Sequence, residues 1–125
     1  MNTILKMEFI SGCLMLILAI GGAEAADANH GQELHLTLCS GCHGVDYNSV
    51  GPTHGGVFGR KAGSVPDYEY SPGLKQARLV WDESNLDKWL TNPESVIPGQ
   101  KMNFSVPDAA DRADIIAYLK TLLAP

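Results

Sequence analysis

The chain lacks the composition of a nucleic-acid-binding protein and has no long apolar segment. Its 125 residues include 9 Lys and Arg against 14 Asp and Glu, a net charge of −5. This excess of negative charge excludes non-specific binding to nucleic acid through the phosphates. The one apolar run, roughly residues 10 to 23, is too short to predict a transmembrane helix, and no stop-transfer pattern follows it. No internal repeat or low-complexity segment is present.

The apolar run instead predicts a cleaved secretory signal peptide over residues 1–25, and hence a periplasmic protein. Lys6 precedes the run, and Ala23-Glu24-Ala25 matches an A-x-A cleavage site. An uncleaved N-terminal anchor is one alternative. Ile10-Ser11-Gly12-Cys13 is similar to a lipoprotein lipobox, but most of the apolar run lies after Cys13 instead of before it.

Residues 26–125 form the predicted domain, which has 100 residues. Without Lys6, Glu8 and Glu24 it carries eight basic and twelve acidic side chains, and it has two cysteines and a single methionine. A domain of this size buries only a modest core, so a large apolar prosthetic group would stabilise it considerably.

Three segments of this domain predict helices. The first, residues 28–38, runs directly into the two cysteines. The second follows Asp82-Glu83-Ser84, where Asp82 or Ser84 can cap the first turn, and ends at Asn92-Pro93. The third is expected to begin at Ser105-Val106-Pro107-Asp108, which offers an N-cap, a proline for the first turn and an acidic group for the helix dipole. Its apolar stripe consists of Ile115, Tyr118, Leu119 and Leu122.

The region between the first two helices, residues 44–79, has seven glycines, three prolines and no sustained strand alternation. A loop of that length is unusual in a compact domain unless it wraps around something. The sequence therefore predicts an all-α fold, three main helices with long loops around a large object in the core.

The motif that carries chemistry is CSGCH, residues 39 to 43. Chance alone would produce Cys-x-x-Cys-His in about one chain of this size in a thousand. In c-type haem attachment two thiols add across the haem vinyl groups, and the next residue is the histidine that reaches the iron. Cys39 and Cys42 are therefore predicted to hold one haem c covalently, with His43 as the proximal iron ligand.

Other uses of the motif fit the sequence less well. A thioredoxin-like dithiol expects a βαβ setting, and a zinc ribbon expects a second pair of cysteines. Cys39, Cys42, His35 and His43 could supply four zinc ligands, but they would crowd one helix end. A disulfide between Cys39 and Cys42 is possible in an oxidising compartment and leaves His43 unexplained.

The second axial ligand decides whether such a haem carries electrons or binds gases and peroxide. Met102 is the single methionine of residues 26–125 and lies in the segment PGQKMNF, predicted to be an extended loop. A lone methionine is often a packing residue, yet this position favours an iron ligand. His30, His35 and His54 are the other possible ligands. His30 and His35 precede the motif on the same helix, which makes the distal face difficult for them to reach.

Together these segments resemble class I cytochrome c, in its mitochondrial-like bacterial branch. The resemblance rests, in order, on Gly31, CSGCH, GPTHGGVFGRKAG (51–63), YEYS (68–71), Trp81, LDKWLTNP (86–93), IPGQKM (97–102) and RADIIAYLK (112–120). It implies a monomeric carrier of single electrons, not an enzyme, that exchanges electrons with a dehydrogenase, reductase or terminal oxidase and meets membranes only through such partners. A subunit dedicated to one enzyme and a ligand-binding or peroxidase-like haem protein are the rival classes.

The resemblance also assigns residues beyond the motif. It implies that the Pro52 carbonyl accepts the Nδ1 proton of His43, and that a buried haem propionate is surrounded by donors from three side chains, Arg60, Tyr70 and Trp81. It further implies that Gly31 lets the first helix cross close to the last helix, where Tyr118 packs.

Several positions depart from the family pattern. His35 replaces an aromatic residue at the helix contact, and His54 replaces a leucine beside the proximal face of the haem. Gln100 replaces a small hydroxyl residue, and Leu74 replaces a frequent asparagine near the distal pocket. Mitochondrial relatives dock acidic partners through a ring of lysines, and this ring is largely absent here. The corresponding surface of this chain carries Glu33, Leu38, Glu94, Ser95 and Asp108. The lysines that remain there are chiefly Lys101 and also Lys61, Lys75 and Lys88. We therefore expect brief docking that depends weakly on salt, or docking steered by a basic patch on the partner.

Overall fold

The computed structural model describes residues 21–125. The apolar run of the expected signal peptide, its anchor alternative and the lipobox at Cys13 lie mostly or wholly outside the described residues. The expected cleavage site, Ala23-Glu24-Ala25, lies in exposed, irregular chain ahead of the first helix.

The described part of the chain is helical. Its elements are α1 (Ala28–Leu38), α2 (Pro72–Gln76), α3 (Glu83–Thr91), α4 (Pro93–Val96) and α5 (Ala109–Leu119). Over residues 21–125 there is no β-strand, and an isolated antiparallel bridge joins Lys61 to Val80. The predicted all-α fold with three main helices and long loops is confirmed. Over the same residues no helix is both long and apolar enough to cross a bilayer.

Aspartates cap the three main helices. The Asp27 carboxylate accepts hydrogen bonds from the backbone N–H groups of Asn29 and His30 at the start of α1. At the start of α3 the Asp82 carboxylate accepts from the Asn85 N–H at 2.8 Å, and Ser84 lies inside the helix. These contacts satisfy N–H groups that have no partner within the helix.

The predicted start of the third helix was wrong. The helix α5 begins at Ala109, with Asp108 as its N-cap, so Pro107 precedes the cap instead of lying in the first turn. The reason is a tertiary contact: Val106 is buried, and its backbone N–H donates to the carbonyl of Leu90 at 2.7 Å. This bond holds the chain before the cap against the end of α3.

The helices α1 and α5 cross at close range at Gly31. A Cβ at this position would overlap the backbone carbonyl of Asp114 and would lie 3.0 Å from the Cβ of Tyr118. The Asp114 carboxylate accepts the backbone N–H of Asp27 at 2.7 Å and contacts His30 Nδ1 at 2.8 Å. The close approach of α1 to α5 therefore requires glycine at this position, as the resemblance implies. Polar contacts also stabilise the crossing.

The core lies between α3, α5 and the loops that precede α3. Its buried apolar residues are Val57, Ala62, Trp81, Leu86, Trp89, Leu90, Ile97, Val106, Ile115, Ile116 and Leu119. Met102, Leu74 and Leu34 are partly buried and pack against this cluster. Met102 therefore lies at the edge of the core and not at its centre.

Candidate functional site

The CSGCH motif forms a tight turn at the carboxyl end of α1. Cys39 caps the helix, with its N–H donating to His35, and the N–H groups of Cys42 and His43 donate to the Cys39 carbonyl at 3.0 and 2.9 Å. Cys39 is buried and Cys42 is exposed, and no disulfide joins them. Burial, followed by the neighbouring Cys42, raises the pKa of the Cys39 thiol to about 11. Both sulfurs are therefore available for other bonds.

The motif histidine has a fixed tautomer. His43 Nδ1 lies 2.7 Å from the carbonyl oxygen of Pro52, and because a carbonyl can only accept, Nδ1 carries the proton. The same bond leaves a lone pair on Nε2, the atom that a metal would take. Burial lowers the pKa of His43, the Pro52 hydrogen bond opposes this shift, and the charge of Arg60 adds to it. A Cβ at position 51 would overlap the ring, so Gly51 is what allows the imidazole to lie there.

A pair of histidines lies beside His43, and one of them contacts its ring. The ring of His54 stacks on that of His43, with centroids 4.0 Å apart and planes inclined by 16°. His35 Nε2 lies 2.8 Å from His54 Nδ1, and the His35 ring packs edge-on against Tyr118. Sequence reasoning placed His35 and His54 separately, at the helix contact and beside the haem. It missed that they are partners.

Met102 lies in the loop between α4 and α5, beside α3. The indole Nε1 of Trp89 donates a hydrogen bond to Met102 Sδ at 3.2 Å. Sequence reasoning placed Trp89 only within the segment LDKWLTNP (86–93), in the second predicted helix. A buried tryptophan usually finds an acceptor for its N–H, and that rule was the available signal for this contact.

Polar side chains brace the methionine loop on both sides of Met102. The Gln100 amide donates to Glu94 Oε2 at 3.1 Å and to Asn103 Oδ1 at 2.9 Å, and its Oε1 accepts the Asn103 N–H at 2.9 Å. Glu94 Oε1 accepts the N–H of Gly99 at 2.9 Å. Asn103 has a left-handed backbone, with φ of 46°, which the Gln100 contacts support. The unusual glutamine is thus a structural part of this loop.

Arg60 is a half-buried cation that keeps an unused donor inside the protein. Its terminal nitrogens donate to the carbonyls of Gly55 and Thr53 at 3.1 and 2.9 Å, while its buried Nε has no hydrogen-bond partner. The backbone N–H of Trp81 donates to the Arg60 carbonyl at 2.9 Å. Burial lowers the pKa of Arg60, and the nearby Tyr70 opposes that shift. Arg60 is therefore near Tyr70, and it is joined to Trp81 through the backbone.

Tyr70 also has a donor to offer. Its hydroxyl accepts the backbone N–H of Val65 at 3.1 Å, which leaves the O–H proton for an acceptor. Burial raises the pKa of Tyr70, so the hydroxyl stays protonated at neutral pH.

The remaining candidate residues lie elsewhere. His30 is on the exposed side of the α1–α5 crossing, bound to Asp114. Leu74 lies in α2 and packs against the core. Among residues 21–125 no group of three or more His, Cys, Asp and Glu side chains is arranged to hold a metal ion. His35 turns toward His54 instead of converging with the cysteines.

The donor set fits a covalently held haem. Two thiols on one turn and an imidazole with a free Nε2 match the chemistry of attachment and axial ligation. The unpaired Nε of Arg60 indicates that an acceptor such as a carboxylate belongs beside it, because a buried cationic donor without a partner is costly.

Comparison with known proteins gives the same result. The family model for cytochrome c matches residues 28–123. Cytochrome c of Euglena viridis is 44% identical over 99 residues, which span 77% of this chain and 97% of that protein. Cytochrome c2 of Rhodomicrobium vannielii is 41% identical over 110 residues, 85% of this chain and 87% of that protein.

A solved structure agrees with both sequence comparisons. Cytochrome cH from Methylobacterium extorquens superposes with a TM-score of 0.73 at 43% identity, and the match covers 77% of this chain and 99% of that one. The chain therefore belongs to the cytochrome c family, and it is an electron carrier with one covalently attached haem c, whose attachment motif contains Cys39 and Cys42.

Proposed function

We propose that the chain is a periplasmic carrier of single electrons in which His43 and Met102 are the two axial ligands of the haem iron. The bound haem supplies reversible one-electron chemistry at its iron. The observation that carries the proposal is the hydrogen bond from His43 Nδ1 to Pro52, 2.7 Å long, because it holds the proton on Nδ1 and leaves the lone pair of Nε2 for a metal. It also makes the imidazole a stronger electron donor.

Met102 is the proposed distal ligand. A thioether is a soft ligand that favours the reduced state of iron, so the reduction potential should be comparatively high. The Trp89 hydrogen bond and the Gln100 contacts hold the sulfur in position. With a protein ligand on each side of the haem, no coordination position remains for a substrate, and for this reason we propose an electron carrier that is not an enzyme.

Arg60, Tyr70 and Trp81 are proposed to surround a haem propionate. Arg60 supplies a positive charge and an unused N–H, and Tyr70 supplies an O–H. Together they can replace the water that a carboxylate loses on burial.

The partners proposed for this carrier are redox proteins, namely a dehydrogenase, a reductase or a terminal oxidase. Two of the few lysines expected near the docking face already have partners within the chain: Lys75 forms an ion pair with Glu69, and Lys101 Nζ donates to the Glu69 carbonyl at 3.2 Å. We expect the rate of electron transfer to an acidic partner to fall only slightly as ionic strength rises. A steep fall in stopped-flow rates would overturn this part of the proposal.

The proposed location rests on residues 1–25 as a cleaved signal peptide and on residues 26–125 as the mature domain. Exposed chain at Ala23-Glu24-Ala25 and a family match that begins at residue 28 support this division. Mass spectrometry of the periplasmic fraction should find a chain that begins at Ala26 and carries one haem. A membrane-bound chain that retains residues 1–25 would support the anchor instead.

A redox titration combined with a peroxide assay tests the proposed function. The holoprotein should accept and release one electron per chain reversibly. It should consume hydrogen peroxide no faster than the haem-free protein does. Rapid peroxide turnover would favour the peroxidase-like alternative.

A further inference from the structure

His35 and His54 form a hydrogen-bonded pair that joins the helix crossing to the motif histidine. Their facing nitrogens, His35 Nε2 and His54 Nδ1, are 2.8 Å apart. His35 is 2% exposed, and its ring meets the Tyr118 ring edge-on, with centroids 5.2 Å apart. On the other side His54 stacks on His43. One line of contacting rings therefore runs from α5 to the motif.

The pair has a fixed pattern of protons. Two ring nitrogens at this distance can share only one proton, so one ring donates and the other accepts. Burial lowers the pKa of His35, with the nearby His43 as the smaller cause. Burial also lowers the pKa of His54 far below its ordinary value, and His43, His35 and Arg60 add to that shift. The accepting ring is neutral because its facing nitrogen carries no proton, and this single N–H···N bond fixes the planes of both rings.

The contacts of His43 leave one motion to be restricted. The Pro52 hydrogen bond sets the direction of Nδ1. A single hydrogen bond still permits limited rotation of the imidazole about its Cβ–Cγ bond. The nearly parallel ring of His54, inclined by 16°, blocks this rotation by packing against the face of the imidazole. A His54 ring that was itself free to turn could not do so.

We propose that His35 and His54 are positioning residues for His43: the His35–His54 hydrogen bond fixes the ring of His54, and the stacked ring of His54 fixes the rotation of His43 and the polarity beside it. The proposal rests on the proposed role of His43 as an iron ligand. Neutral polar rings stabilise added positive charge at the ligand better than aliphatic side chains do. The pair should therefore favour the oxidised protein.

Variants of the holoprotein test this proposal. His54→Leu removes the polar ring, and His35→Phe removes only the hydrogen bond while keeping an aromatic edge against Tyr118. Each should raise the ratio of reduced to oxidised protein at a fixed solution potential by about threefold or more. A tenfold change in this ratio corresponds to about 59 mV for a one-electron couple. In proton NMR of the oxidised protein, the pattern of shifted haem methyl signals should change, since it reports the orientation of the His43 ring. The double variant should shift the ratio no more than His54→Leu alone, because both act through one ring.

Two further variants act as controls. His35→Gln can still hydrogen-bond His54 and should return both measurements toward the wild-type values. His30→Gln removes a histidine that touches neither ring of the pair and should change neither measurement. Wild-type values for His35→Phe, or shifts that simply add in the double variant, would overturn the proposal. A wild-type protein without a low-spin haem spectrum would instead contradict the ligand role of His43, so the two failures can be told apart.

Discussion

The indole N–H of Trp89 donates to the sulfur of Met102 across 3.2 Å, linking the last turn of α3 to the methionine loop. The Trp89 ring is buried and packs on Trp81, with centroids 5.2 Å apart. The donor is therefore held by the core, while the acceptor lies at the core's edge. A donor on the sulfur withdraws electron density that the thioether would otherwise give to a metal.

Replacing Trp89 with phenylalanine should lower the reduction potential of the holoprotein. Without the hydrogen bond the sulfur donates more strongly and stabilises the oxidised state. A neutral hydrogen bond contributes about 0.5–1.5 kcal/mol. For a one-electron couple, a tenfold change in the equilibrium constant is about 1.4 kcal/mol, or about 59 mV. The reduction potential should therefore fall by no more than about 60 mV. Tyr47→Phe, which changes an exposed aromatic residue outside the site, is the control and should leave the reduction potential unchanged. A Trp89→Phe potential equal to or above the wild-type value would contradict the assigned role of this bond.

Gln100→Ala should loosen the methionine loop. The substitution leaves the Asn103 N–H without its partner and removes both donors to Glu94 and Asn103, a loss of about 1–3 kcal/mol for a buried group. We expect the reduced variant to bind carbon monoxide more readily and to unfold at lower denaturant concentration. Ser105→Ala, at an exposed position of the same loop, should do neither. Wild-type resistance to carbon monoxide in Gln100→Ala would show that the network does not hold Met102.

His30 should make stability depend on pH through its contact with Asp114. The Asp114 hydrogen bond raises the pKa of His30 above 6.5, with Asp114, Asp111 and Glu33 charges adding to it, and the same bond lowers the pKa of Asp114 below 3.8. The stabilisation from His30 is therefore complete below pH 6.5 and is lost as pH rises through its higher folded pKa; that from Asp114 is lost as pH falls below 3.8.

Comparing the wild type with His30→Gln isolates this contribution. The difference in urea midpoint should be largest near pH 5 and should shrink as pH rises above 6.5. His35, His43 and His54 have lowered pKa values and act in the opposite direction, but they are common to both proteins. A midpoint difference that grows with pH would contradict the pairing.

Gly31→Ala should destabilise the fold severely. The added methyl would overlap the backbone carbonyl of Asp114, which cannot move without separating α1 from α5. Overpacking of this kind costs roughly 1–3 kcal/mol, and the loss should appear in chemical denaturation. Gly41→Ala is the control, since a Cβ at that position would have nothing within 4 Å of it. Equal stability of the two variants would show that the crossing can relax.

The parts of the fold that depend on local sequence were predictable. The bounds of α1 and the position of α3 are confirmed, and of the two caps that the sequence offered for α3, Asp82 or Ser84, the structure has Asp82. The start of α5 was not predictable, because it is set by Val106 pairing with Leu90, a contact between distant parts of the chain. The short helices α2 and α4 were missed, since a Ser71 or Asn92 cap also fits an ordinary turn.

The candidate site divides in the same way. The motif is continuous in sequence, and its chemistry follows from five adjacent residues. The contact of His35 with His54 and that of Trp89 with Met102 join residues 19 and 13 positions apart. Their geometry depends on how α1 packs against α5 and on how the methionine loop lies against α3. The unpaired Nε of Arg60 could not be predicted either, because it depends on which carbonyls surround the guanidinium.

The most direct test of the central claim is the optical spectrum of periplasmically matured protein, oxidised and then reduced, with carbon monoxide added to the reduced sample. Ligation by His43 and Met102 predicts a far-red sulfur-to-iron band in the oxidised protein, sharp c-type bands on reduction and no response to carbon monoxide. Absence of the far-red band together with a large shift on adding carbon monoxide would contradict the account, because it would show an iron with an open coordination position.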